Sequence, residues 1–478
     1  MKLIHDQSKT KIIATIGPAC QSKDILRNMF YEGIDACRLN FSHGTHADHL
    51  KVINTVRELN EELETHVAII TDLQGPKLRI GEVTNNETEL KEGSTVTFVT
   101  EECTGDEKKL YMSFKEFPQD VNKGDAVLID DGKIKLEVTE TNRKDSVKAN
   151  VIYGGKLSSH KGVNLPDTRI SIPSLTEKDL NDVEFILKQD IDWIALSFVR
   201  HPSDILELKD IIKKHGKDIG VIAKIEKPEA IKEIDNIINV TDAVMVARGD
   251  LGVEVPFDEV PYLQKKIVNK CITSSKPVII ATQMLESMIE NFRPTRAEAN
   301  DVANAVFDSA DTVMLSGETS VGKFPVESIR SMQRIIDFAE GTEFNLSHQH
   351  VPEKGCPEYL RDSVCYNAAQ MANLTDATAI VTFTTTGETA MKISSHRPKA
   401  AVYAFTPDEC LLRKLSLAWG VWSLPIEAET SINDAIDYAT RVLKEKRIIK
   451  KGDIVVFVGS LPVMESDLIN TMKISYIE

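Results

Sequence analysis

Short runs of β-branched and other apolar residues alternate along this chain with longer segments of helical periodicity. Eight of the runs are nearly continuously apolar, the pattern of strands that are buried on both faces. They cover residues 11–17, 36–42, 67–73, 192–199, 221–227, 243–250, 277–284 and 312–318. Amphipathic segments such as HPSDILELKDIIKKHG lie between most of these runs. The alternation predicts an α/β fold, a parallel (β/α)₈ TIM barrel rather than an open sheet.

The pattern changes between residues 73 and 192. Segments such as GDAVLIDDGKIKLEVTE and DSVKANVIYGG alternate apolar and polar residues and contain Gly and Asp turns, which is typical of antiparallel strands. We therefore expect a small all-β domain at residues 77–167, inserted between barrel segments 1–76 and 168–341. Because it follows the third barrel strand, it would lie as a lid over the strand ends where barrel enzymes have their active sites.

A second α/β pattern follows the segment GTEFNLSHQHVPEKG. Its predicted strands are TAIVTFT, AAVYAFT, VWSLPIE, DIVVFVGS and MKISYI. They predict a C-terminal α/β domain at residues 342–478. This domain has either a structural and oligomeric role or a regulatory one.

Composition narrows the classes of partner. The formal net charge is 57 − 73 = −16, which disfavours nucleic acid and anionic membranes, so an anionic ligand needs a local cluster of cations. The seven cysteines are scattered without close pairs, which argues against a disulfide framework or a zinc site. The N-terminus is polar and no run of about 20 apolar residues occurs. These features predict a cytoplasmic protein.

Polar residues collect at the predicted C-terminal ends of the barrel strands. In chain order they are Arg38, Asn40, Ser42, His43, Asp72, Ser197, Lys224, Glu226, Arg248, Gly249, Asp250, Thr282, Ser316 and Glu318. Each alone is explained by a structural ion pair or a helix cap. Together, cations and carboxylates in one barrel mouth indicate an anionic phospho-substrate and a hard divalent metal. Glu226 and Asp250 suit magnesium, whereas zinc would need His or Cys ligands. A glycosidase carboxylate pair is the alternative, and the nearby cations disfavour it.

Several motifs resemble the pyruvate kinase family across essentially the whole chain. They are RLNFSHG (38–44), KGVNLP (161–166), IAKIE (222–226), MVARGDLGVE (245–254), ATQMLESMIENFRPTRAEANDVANAVFDSAD (281–311) and MLSGET (314–319). The resemblance implies a phosphotransferase that moves the phosphoryl group of phosphoenolpyruvate to ADP, giving pyruvate and ATP in the final step of glycolysis. It also implies a requirement for Mg²⁺, with Mn²⁺ as a substitute, and a homotetramer.

The resemblance assigns roles to matching residues. Lys224 would stabilise the transferring phosphoryl group, with Arg38 as a second cation. Glu226 and Asp250 would hold Mg²⁺, and the backbone N–H groups of Gly249 and Asp250 would bind the substrate carboxylate at a helix N-terminus. Thr282 would be one link of a water relay that protonates the enolate. The nucleotide would be bound by Asn40, His43, Arg79 and Lys161, the last two on the lid edges.

The stretch TDLQGPKLRIG (71–81) departs from the family pattern. The better-known pyruvate kinases read DTKGPE here and bind K⁺ beside the substrates through Asn, Ser and Asp side chains and a Thr carbonyl. This chain keeps Asn40, Ser42 and Asp72 but has Leu73 and Lys77 where Thr and Glu are usual. A fixed ammonium would supply the charge of the ion, so we expect an enzyme that does not need K⁺. The alternative is that Lys77 points to solvent.

The loop TTTGETA (384–390) resembles the family's effector phosphate site. Its candidate residues are Thr384, Thr385, Thr386, Gly387 and Thr389, whose hydroxyls and glycine could cradle an anion. Glu388 stands where several relatives carry a cation, and GSLP (459–462) lacks the Trp and Arg of relatives that respond to sugar bisphosphates. We therefore expect another phosphorylated effector or none.

Two other functions compete with the kinase. A metal-dependent aldolase or lyase of the phosphoenolpyruvate/pyruvate barrel type also pairs Glu and Asp around magnesium. The lid insert with Arg79 and Lys161, together with Lys224 in the mouth, argues against it. A nucleotide sensor without catalytic activity is the non-enzyme alternative. No expected catalytic position is missing, which disfavours the sensor.

Overall fold

Eight parallel strands close into a barrel in the computed structural model, which describes residues 8–342, 350–355, 358–427, 431–459 and 469–478. The chain begins with β1 (Lys11–Thr15), α1 (Lys23–Glu32), β2 (Ala36–Asn40), α2 (His46–Leu63) and β3 (Ala68–Asp72). Helix α2 begins with a capping box, since Thr45 and Asp48 exchange side-chain to backbone hydrogen bonds. The register pairs Asn40 with Asp72, so the ends of β2 and β3 lie side by side.

The insert after β3 is β-rich, as the alternating pattern predicts. A 3₁₀ turn at Thr84–Asn86 precedes β4 (Glu87–Leu90), β5 (Thr95–Val99), β6 (Lys109–Tyr111), α3 (Phe117–Asp120), β7 (Ala126–Ile129), β8 (Ile134–Thr141), β9 (Ser146–Tyr153), β10 (Gly155–Ser158) and β11 (Val163–Asn164). One sheet has the order β11-β7-β8-β9-β5-β6, and β10 pairs with β4. The inward faces of β8 and β9 bury Leu136, Val138, Val147 and Ala149 in a core separate from that of the barrel.

The barrel resumes after the insert and completes the predicted eight strands. Its elements are α4 (Glu177–Ile186), β12 (Trp193–Leu196), α5 (Pro202–Lys214), β13 (Gly220–Ile225), α6 (Pro228–Lys232), α7 (Ile234–Val240), β14 (Ala243–Ala247), α8 (Arg248–Glu254), α9 (Val260–Thr273), β15 (Val278–Ala281), α10 (Arg296–Phe307), β16 (Thr312–Leu315), α11 (Gly317–Ser320) and α12 (Pro325–Glu340), with a 3₁₀ turn at Glu286–Ile289. Side chains such as Ile70, Trp193 and Met245 fill the interior, so the barrel is a packed core and not a pore.

The C-terminal region forms a five-stranded sheet with helices. Its elements are α13 (Tyr359–Leu374), β17 (Ala379–Phe383), α14 (Glu388–Ser395), β18 (Ala401–Thr406), α15 (Glu409–Lys414), β19 (Val421–Pro425), α16 (Ile432–Glu445), β20 (Ile454–Gly459) and β21 (Thr471–Tyr476), with a 3₁₀ turn at Leu415–Leu417. The order is β19-β18-β17-β20-β21, and only β21 of these strands is antiparallel. Leu417 packs into the barrel interior, and its carbonyl accepts a hydrogen bond from Thr312 at the first residue of β16. This region therefore closes the end of the barrel opposite the active-site mouth.

Residues 460–462 of the GSLP segment and Cys356 lie outside the described residues. Among the described helices, none combines the length and the apolar character that crossing a bilayer requires.

Candidate active site

Asp72 links two cations at the C-terminal mouth of the barrel. Its carboxylate accepts a hydrogen bond of 2.7 Å from Arg38 Nε and one of 3.1 Å from Lys224 Nζ. Burial alone would raise the pKa of Asp72, but the Arg38 and Lys224 charges outweigh it and lower the pKa. The ionised carboxylate of Asp72 therefore holds one cation from β2 and one from β13 close together.

Lys224 has polar contacts with Asp72 and with two further side chains of the mouth. Its ammonium lies 2.6 Å from Ser197 Oγ and 3.0 Å from Glu226 Oε1. Burial by itself lowers the pKa of Lys224, but the carboxylates of Asp72 and Glu226 raise it overall. Ser197 in turn donates to the Leu73 carbonyl at 2.7 Å. The ammonium thus stays charged in a position fixed from three sides.

Glu226 and Asp250 form the carboxylate side of the mouth. Glu226 Oε2 accepts the Phe198 N–H at 2.8 Å. Burial, together with the nearby Asp250 charge, raises the pKa of Glu226 despite the opposing effect of Lys224. No cluster of three or more His, Cys, Asp or Glu suited to a metal occurs within the described ranges. Two repelling carboxylates do fit Mg²⁺, which commonly takes one or two protein carboxylates together with water and substrate oxygens.

Thr282 has a strained backbone. Its φ is +71° and that of Gln283 is +55°, a region that a β-branched residue adopts only under constraint. Arg248 supplies the constraint, since it donates to the Thr282 carbonyl at 2.7 Å and to both carboxylate oxygens of Asp301. The Thr282 hydroxyl accepts the Gly249 N–H at 2.7 Å and donates to the Ala281 carbonyl. The Gly249 N–H, expected to be open at a helix N-terminus, is therefore already engaged.

The lid cations predicted to bind nucleotide are both engaged with lid groups. Arg79 Nη1 donates to the His160 carbonyl at 2.9 Å, and Lys161 Nζ lies 2.8 Å from Asp130. His43, on the barrel side, has a pKa that burial lowers first and the Lys77, Arg79 and Arg38 charges lower further. The lid edges and the barrel mouth are thus within electrostatic reach of each other.

The positions that match the family's K⁺ site are filled by internal hydrogen bonds. Asn40 Oδ1 accepts the Ser42 N–H at 3.1 Å. The Leu73 carbonyl accepts the Ser197 hydroxyl, and Asp72 is held by Arg38 and Lys224. Lys77 is exposed and makes no ion pair with any residue in the described part of the chain. It lines the cavity at the lid hinge together with Asp250.

Gly75 in the opening of the lid hinge needs to be glycine. Its φ is +66°, and an added Cβ would lie 2.7 Å from Phe198 Cδ2. Its N–H donates to Asp179 at 3.1 Å. The backbone at Gly75, where the chain leaves the barrel, therefore packs closely against Phe198 in the loop after β12.

Two predicted strand-end residues, Glu318 and Arg248, bond to backbone groups of neighbouring turns. Glu318 accepts the N–H groups of Ser316 and Leu285 through its two carboxylate oxygens. Burial raises the pKa of Glu318. Arg248 acts in the same way by holding the Thr282 turn.

Sequence reasoning missed a contact between the lid and the barrel. Asn164 Nδ2 of β11 donates to Glu254 Oε1 at 2.7 Å, and Lys227 Nζ lies 2.7 Å from the same oxygen. The Lys227 ammonium also lies 5.8 Å from the Phe198 ring centroid, and Phe198 holds Glu226. Asn164 belongs to the motif KGVNLP, which marks this segment as part of the site. The motif does not indicate what Asn164 bonds to.

The loop at residues 384–389 has an ordered turn. Gly387 has φ +83°, and its N–H donates to Thr384 Oγ1 at 2.8 Å. Thr384 and Thr389 are buried, whereas Thr385 and Thr386 are exposed and line a cavity. Glu388 forms an ion pair with Arg361, which offsets part of its negative charge beside the loop.

Comparison with known proteins gives consistent matches. The families described as "Pyruvate kinase, barrel domain" and "Pyruvate kinase, alpha/beta domain" match residues 7–329 and 362–475. The pyruvate kinase of Clostridium perfringens is 42% identical over 473 residues, 98% of this chain and 100% of that protein. That of Geobacillus stearothermophilus is 41% identical and covers 98% of this chain and 80% of that protein.

The crystal structure of a pyruvate kinase from Cryptosporidium parvum has a TM-score of 0.92 to this chain. The two are 35% identical, and the match covers 98% of this chain and 96% of that one. These matches do not favour the aldolase or lyase alternative.

Proposed function

This chain belongs to the pyruvate kinase family, and from that membership we propose how its residues transfer a phosphoryl group from phosphoenolpyruvate to ADP. The observation that supports the proposal is the network in which Asp72 holds Arg38 and Lys224 beside Glu226. Phosphoryl transfer depends mainly on positioning and on neutralising charge on the transferring oxygens. A fixed pair of cations next to carboxylates suits that chemistry.

Lys224 and Arg38 bind the phosphoryl group of phosphoenolpyruvate. Both cations are oriented before substrate arrives, because Asp72 bonds to each of them. Preorganised charges need little rearrangement when negative charge develops in the transition state. Lys224 stabilises that state, and Arg38 is the second cation on the same group.

Glu226 and Asp250 hold the divalent cation that the family requires, which we assign as Mg²⁺ with Mn²⁺ as a substitute. Burial first and the Asp250 charge second raise the pKa of Glu226, and a bound cation would offset both effects. When bound, the cation supplies Lewis-acid polarisation of substrate oxygens. The Phe198 N–H keeps the Glu226 carboxylate turned toward the mouth.

Thr282 and Gly249 act together on the pyruvate half. The substrate carboxylate competes for the N–H groups of Gly249 and Asp250 at the start of α8. Since the Gly249 N–H bonds the Thr282 hydroxyl before substrate binds, its capture by the carboxylate frees that hydroxyl. Thr282 then serves as one link of a water relay that protonates the enolate carbon.

ADP lies between the barrel mouth and the lid, bound by Asn40, His43, Arg79 and Lys161. Its phosphates replace Asp130 as the partner of Lys161 and the His160 carbonyl as the partner of Arg79. Lid closure brings these cations onto the phosphates and removes water from the reacting groups.

Lys77 replaces the K⁺ ion of the better-known family members. At ~4 Å a unit charge contributes about 4 kcal/mol at an effective dielectric of roughly 20, so an ammonium and a potassium ion in one site would repel strongly. The electrostatic effect of Lys77 on His43 supports a place near the mouth. The reaction therefore proceeds without K⁺.

Regulation, assembly and location complete the proposal. The loop with Thr384, Thr385, Thr386, Gly387 and Thr389 binds a phosphorylated effector. The enzyme is a homotetramer, as the family resemblance implies. A cytoplasmic location is supported by the free thiols of the cysteines that the structure describes.

The activity is tested by mixing the protein with Mg²⁺, phosphoenolpyruvate and ADP and by measuring ATP and pyruvate. Equal amounts of both are expected. Lys224→Gln should abolish ATP formation, whereas Lys232→Gln, an exposed change at the end of α6, should not affect it. Pyruvate without ATP would indicate a lyase, and neither product would indicate a nucleotide sensor.

A further inference from the structure

The turn that follows β2, residues 41–44, is held from two sides by side chains of neighbouring helices. It continues from Asn40 and contains His43, two of the residues that we propose bind ADP. The turn is tied to the barrel mouth at its start, because the Phe41 N–H donates to the Asp72 carbonyl at 2.9 Å. The carbonyl groups of Phe41 and His43 accept hydrogen bonds from outside the turn, from α4 and α2 respectively.

Helix α2 holds the turn through His49. The His49 Nε2 atom lies 3.0 Å from the carbonyl oxygen of His43, and since a carbonyl only accepts, Nε2 carries the proton. Burial is the main cause of the lowered pKa of His49, which keeps the ring neutral at neutral pH. The ring stacks on Phe41 at 4.2 Å between centroids, and a Cβ added to Gly44 would lie 3.6 Å from Nε2. One side chain therefore contacts three of the four residues of the turn.

Helix α4 holds the same turn through Lys178. Its ammonium donates to the Phe41 carbonyl at 2.7 Å and lies 2.6 Å from Asp182 Oδ2. The other oxygen of the buried Asp182 lies 2.7 Å from Nε2 of His46, the first residue of α2. The His46 ring also stacks on Phe185 of α4 at 4.3 Å between centroids. The two helices are therefore bonded to each other as well as to the turn.

The residue after Lys178 holds the lid hinge from the same helical turn. Asp179 accepts the Gly75 N–H at 3.1 Å and the Thr176 N–H at 2.9 Å. The first turn of α4 therefore contacts both the barrel turn and the start of the hinge. These are the two parts of the fold between which we propose that ADP lies.

The outside contacts matter because the turn has little packing of its own. His43 and Gly44 are exposed, and the φ of +77° at Gly44 belongs to a residue that adopts many conformations at little cost. If ADP had to order the turn, the lost conformational freedom would weaken its binding. Contacts made beforehand remove that cost for ADP. They should not affect phosphoenolpyruvate in the same way, because Asp72 already orients the two cations proposed to bind its phosphoryl group.

We propose that His49 and Lys178 are positioning residues for ADP, which hold the turn 41–44 from α2 and α4 so that Asn40 and His43 are in place before the nucleotide arrives. The inference rests on the proposed nucleotide role of Asn40 and His43. It adds that two residues outside the set proposed to contact substrate determine how well ADP binds.

His49→Phe tests the contact from α2, because it keeps an aromatic ring beside Phe41 and removes the donor. In steady-state kinetics the KM for ADP should rise roughly five- to tenfold, the effect of losing one hydrogen bond that orders the turn. The kcat and the KM for phosphoenolpyruvate should stay within about twofold of the wild type. His49→Gln, whose amide can donate to the same carbonyl, should restore most of the ADP affinity. A KM for phosphoenolpyruvate that rises as much as that for ADP would contradict a role in positioning the nucleotide.

His215→Phe is the matched control for His49→Phe. His215 is exposed at the end of α5, and its ring likewise bonds a backbone carbonyl, that of Ile211. Its replacement should leave the KM for ADP unchanged.

Lys178→Met tests the contact from α4, because it keeps the apolar stem and removes the ammonium. The KM for ADP should again rise roughly five- to tenfold, whereas Lys188→Met, at an exposed position just after the same helix, should have no effect. Calorimetric titration with ADP and Mg²⁺, without phosphoenolpyruvate, should show the same loss of affinity in the absence of turnover. A rise in only one of the variants His49→Phe and Lys178→Met would contradict a turn held from both sides.

His43→Ala separates this inference from the proposed binding of ADP. If His43→Ala raises the KM for ADP while His49→Phe and Lys178→Met keep the wild-type value, ADP binds at the turn but the two residues do not position it. If none of the three variants changes the KM for ADP, both the positioning and the nucleotide role of the turn are rejected.

Discussion

Lys77 stands exposed at the start of the lid, where the better-known pyruvate kinases have glutamate. If its ammonium replaces K⁺, then Lys77→Glu should recreate the need for the ion, because the carboxylate restores an anionic site. We expect the wild-type rate to be the same with and without K⁺, and the variant to be roughly tenfold or more faster with K⁺ than without it. The rate of ATP formation is measured for both proteins in a sodium- and potassium-free buffer, before and after K⁺ is added.

Lys115→Glu is the matched control for Lys77→Glu, since it reverses an exposed charge elsewhere on the lid. It should leave the rate independent of K⁺. A wild-type rate that collapses when K⁺ is removed would show that Lys77 points to solvent and does not replace the ion.

Thr282 combines a strained backbone with a hydroxyl at the proposed protonation site. Thr282→Val removes the hydroxyl with little change of shape and should slow the overall reaction on the order of 100-fold, within the range of acid–base effects. Thr282→Ser should retain most of the rate. Incorporation of deuterium from D₂O into the methyl group of pyruvate measures the proton step separately, and it should slow in Thr282→Val. Deuterium incorporation at the wild-type rate would contradict the relay.

The ionised carboxylate of Asp72 should make the stability of the fold depend on pH in the acid range. Although burial opposes ionisation, Arg38 and Lys224 lower the folded-state pKa of Asp72 below its unfolded value of about 3.9. The stabilisation is therefore present above about pH 4 and is lost as pH falls through the lower folded value. Asp72→Asn should lower stability at neutral pH by about 3–5 kcal/mol, since it leaves Arg38 without its buried carboxylate and leaves Lys224 with Glu226 alone.

Thermal midpoints between pH 3 and pH 7 measure this effect. The midpoint of Asp72→Asn should fall less steeply between pH 5 and pH 3 than that of the wild type. Asp258→Asn, at an exposed position, should follow the wild-type profile. Parallel profiles for Asp72→Asn and the wild type would mean that the carboxylate is not what supports the mouth.

At the level of elements, the strands were predictable because continuous apolar runs are a local signal. The polar contacts at the barrel mouth were less predictable than the strands. Arg38, Asp72 and Lys224 could be grouped, since the carboxyl ends of parallel barrel strands meet at one rim. Asn164 and Glu254 could not be paired, because the bond between β11 and α8 depends on how the lid docks, which periodicity does not encode. Arg248 and Asp301 could not be paired either, because periodicity does not show which side chains of two barrel helices, α8 and α10, meet. Arg248 holds the Thr282 turn through the Thr282 carbonyl.

The bond from Asn164 to Glu254 should fix the lid edge relative to the barrel. Asn164→Ala removes a hydrogen bond to a buried carboxylate, so the KM for ADP should rise roughly five- to tenfold with a smaller fall in kcat. Asn150→Ala is the control, because Asn150 bonds Thr95 within the lid. Steady-state kinetics with varied ADP measure both. An unchanged KM for ADP in Asn164→Ala would mean that the contact does not restrain the lid.

For the whole molecule, the contacts between the barrel and the C-terminal region are buried and specific. Arg397 Nη2 lies 3.0 Å from Asp311 Oδ2 and donates to the Ser309 carbonyl at 2.8 Å. Asp311 Oδ1 accepts the Trp419 N–H at 3.0 Å. Both members of the ion pair are buried, which is rare between domains that move freely. The two regions should therefore unfold together.

Arg397→Leu tests this coupling. It leaves Asp311 buried without its cation, which should cost about 3–5 kcal/mol. Because the cost falls on the interface, calorimetry should show the C-terminal region melting in a separate, earlier transition, while ATP formation at 25 °C persists. Arg441→Leu is the matched control: Arg441 is exposed and lies over the Tyr438 ring within the C-terminal region, so its loss should leave one transition. A single transition at the wild-type midpoint in Arg397→Leu would show that the ion pair does not join the two regions.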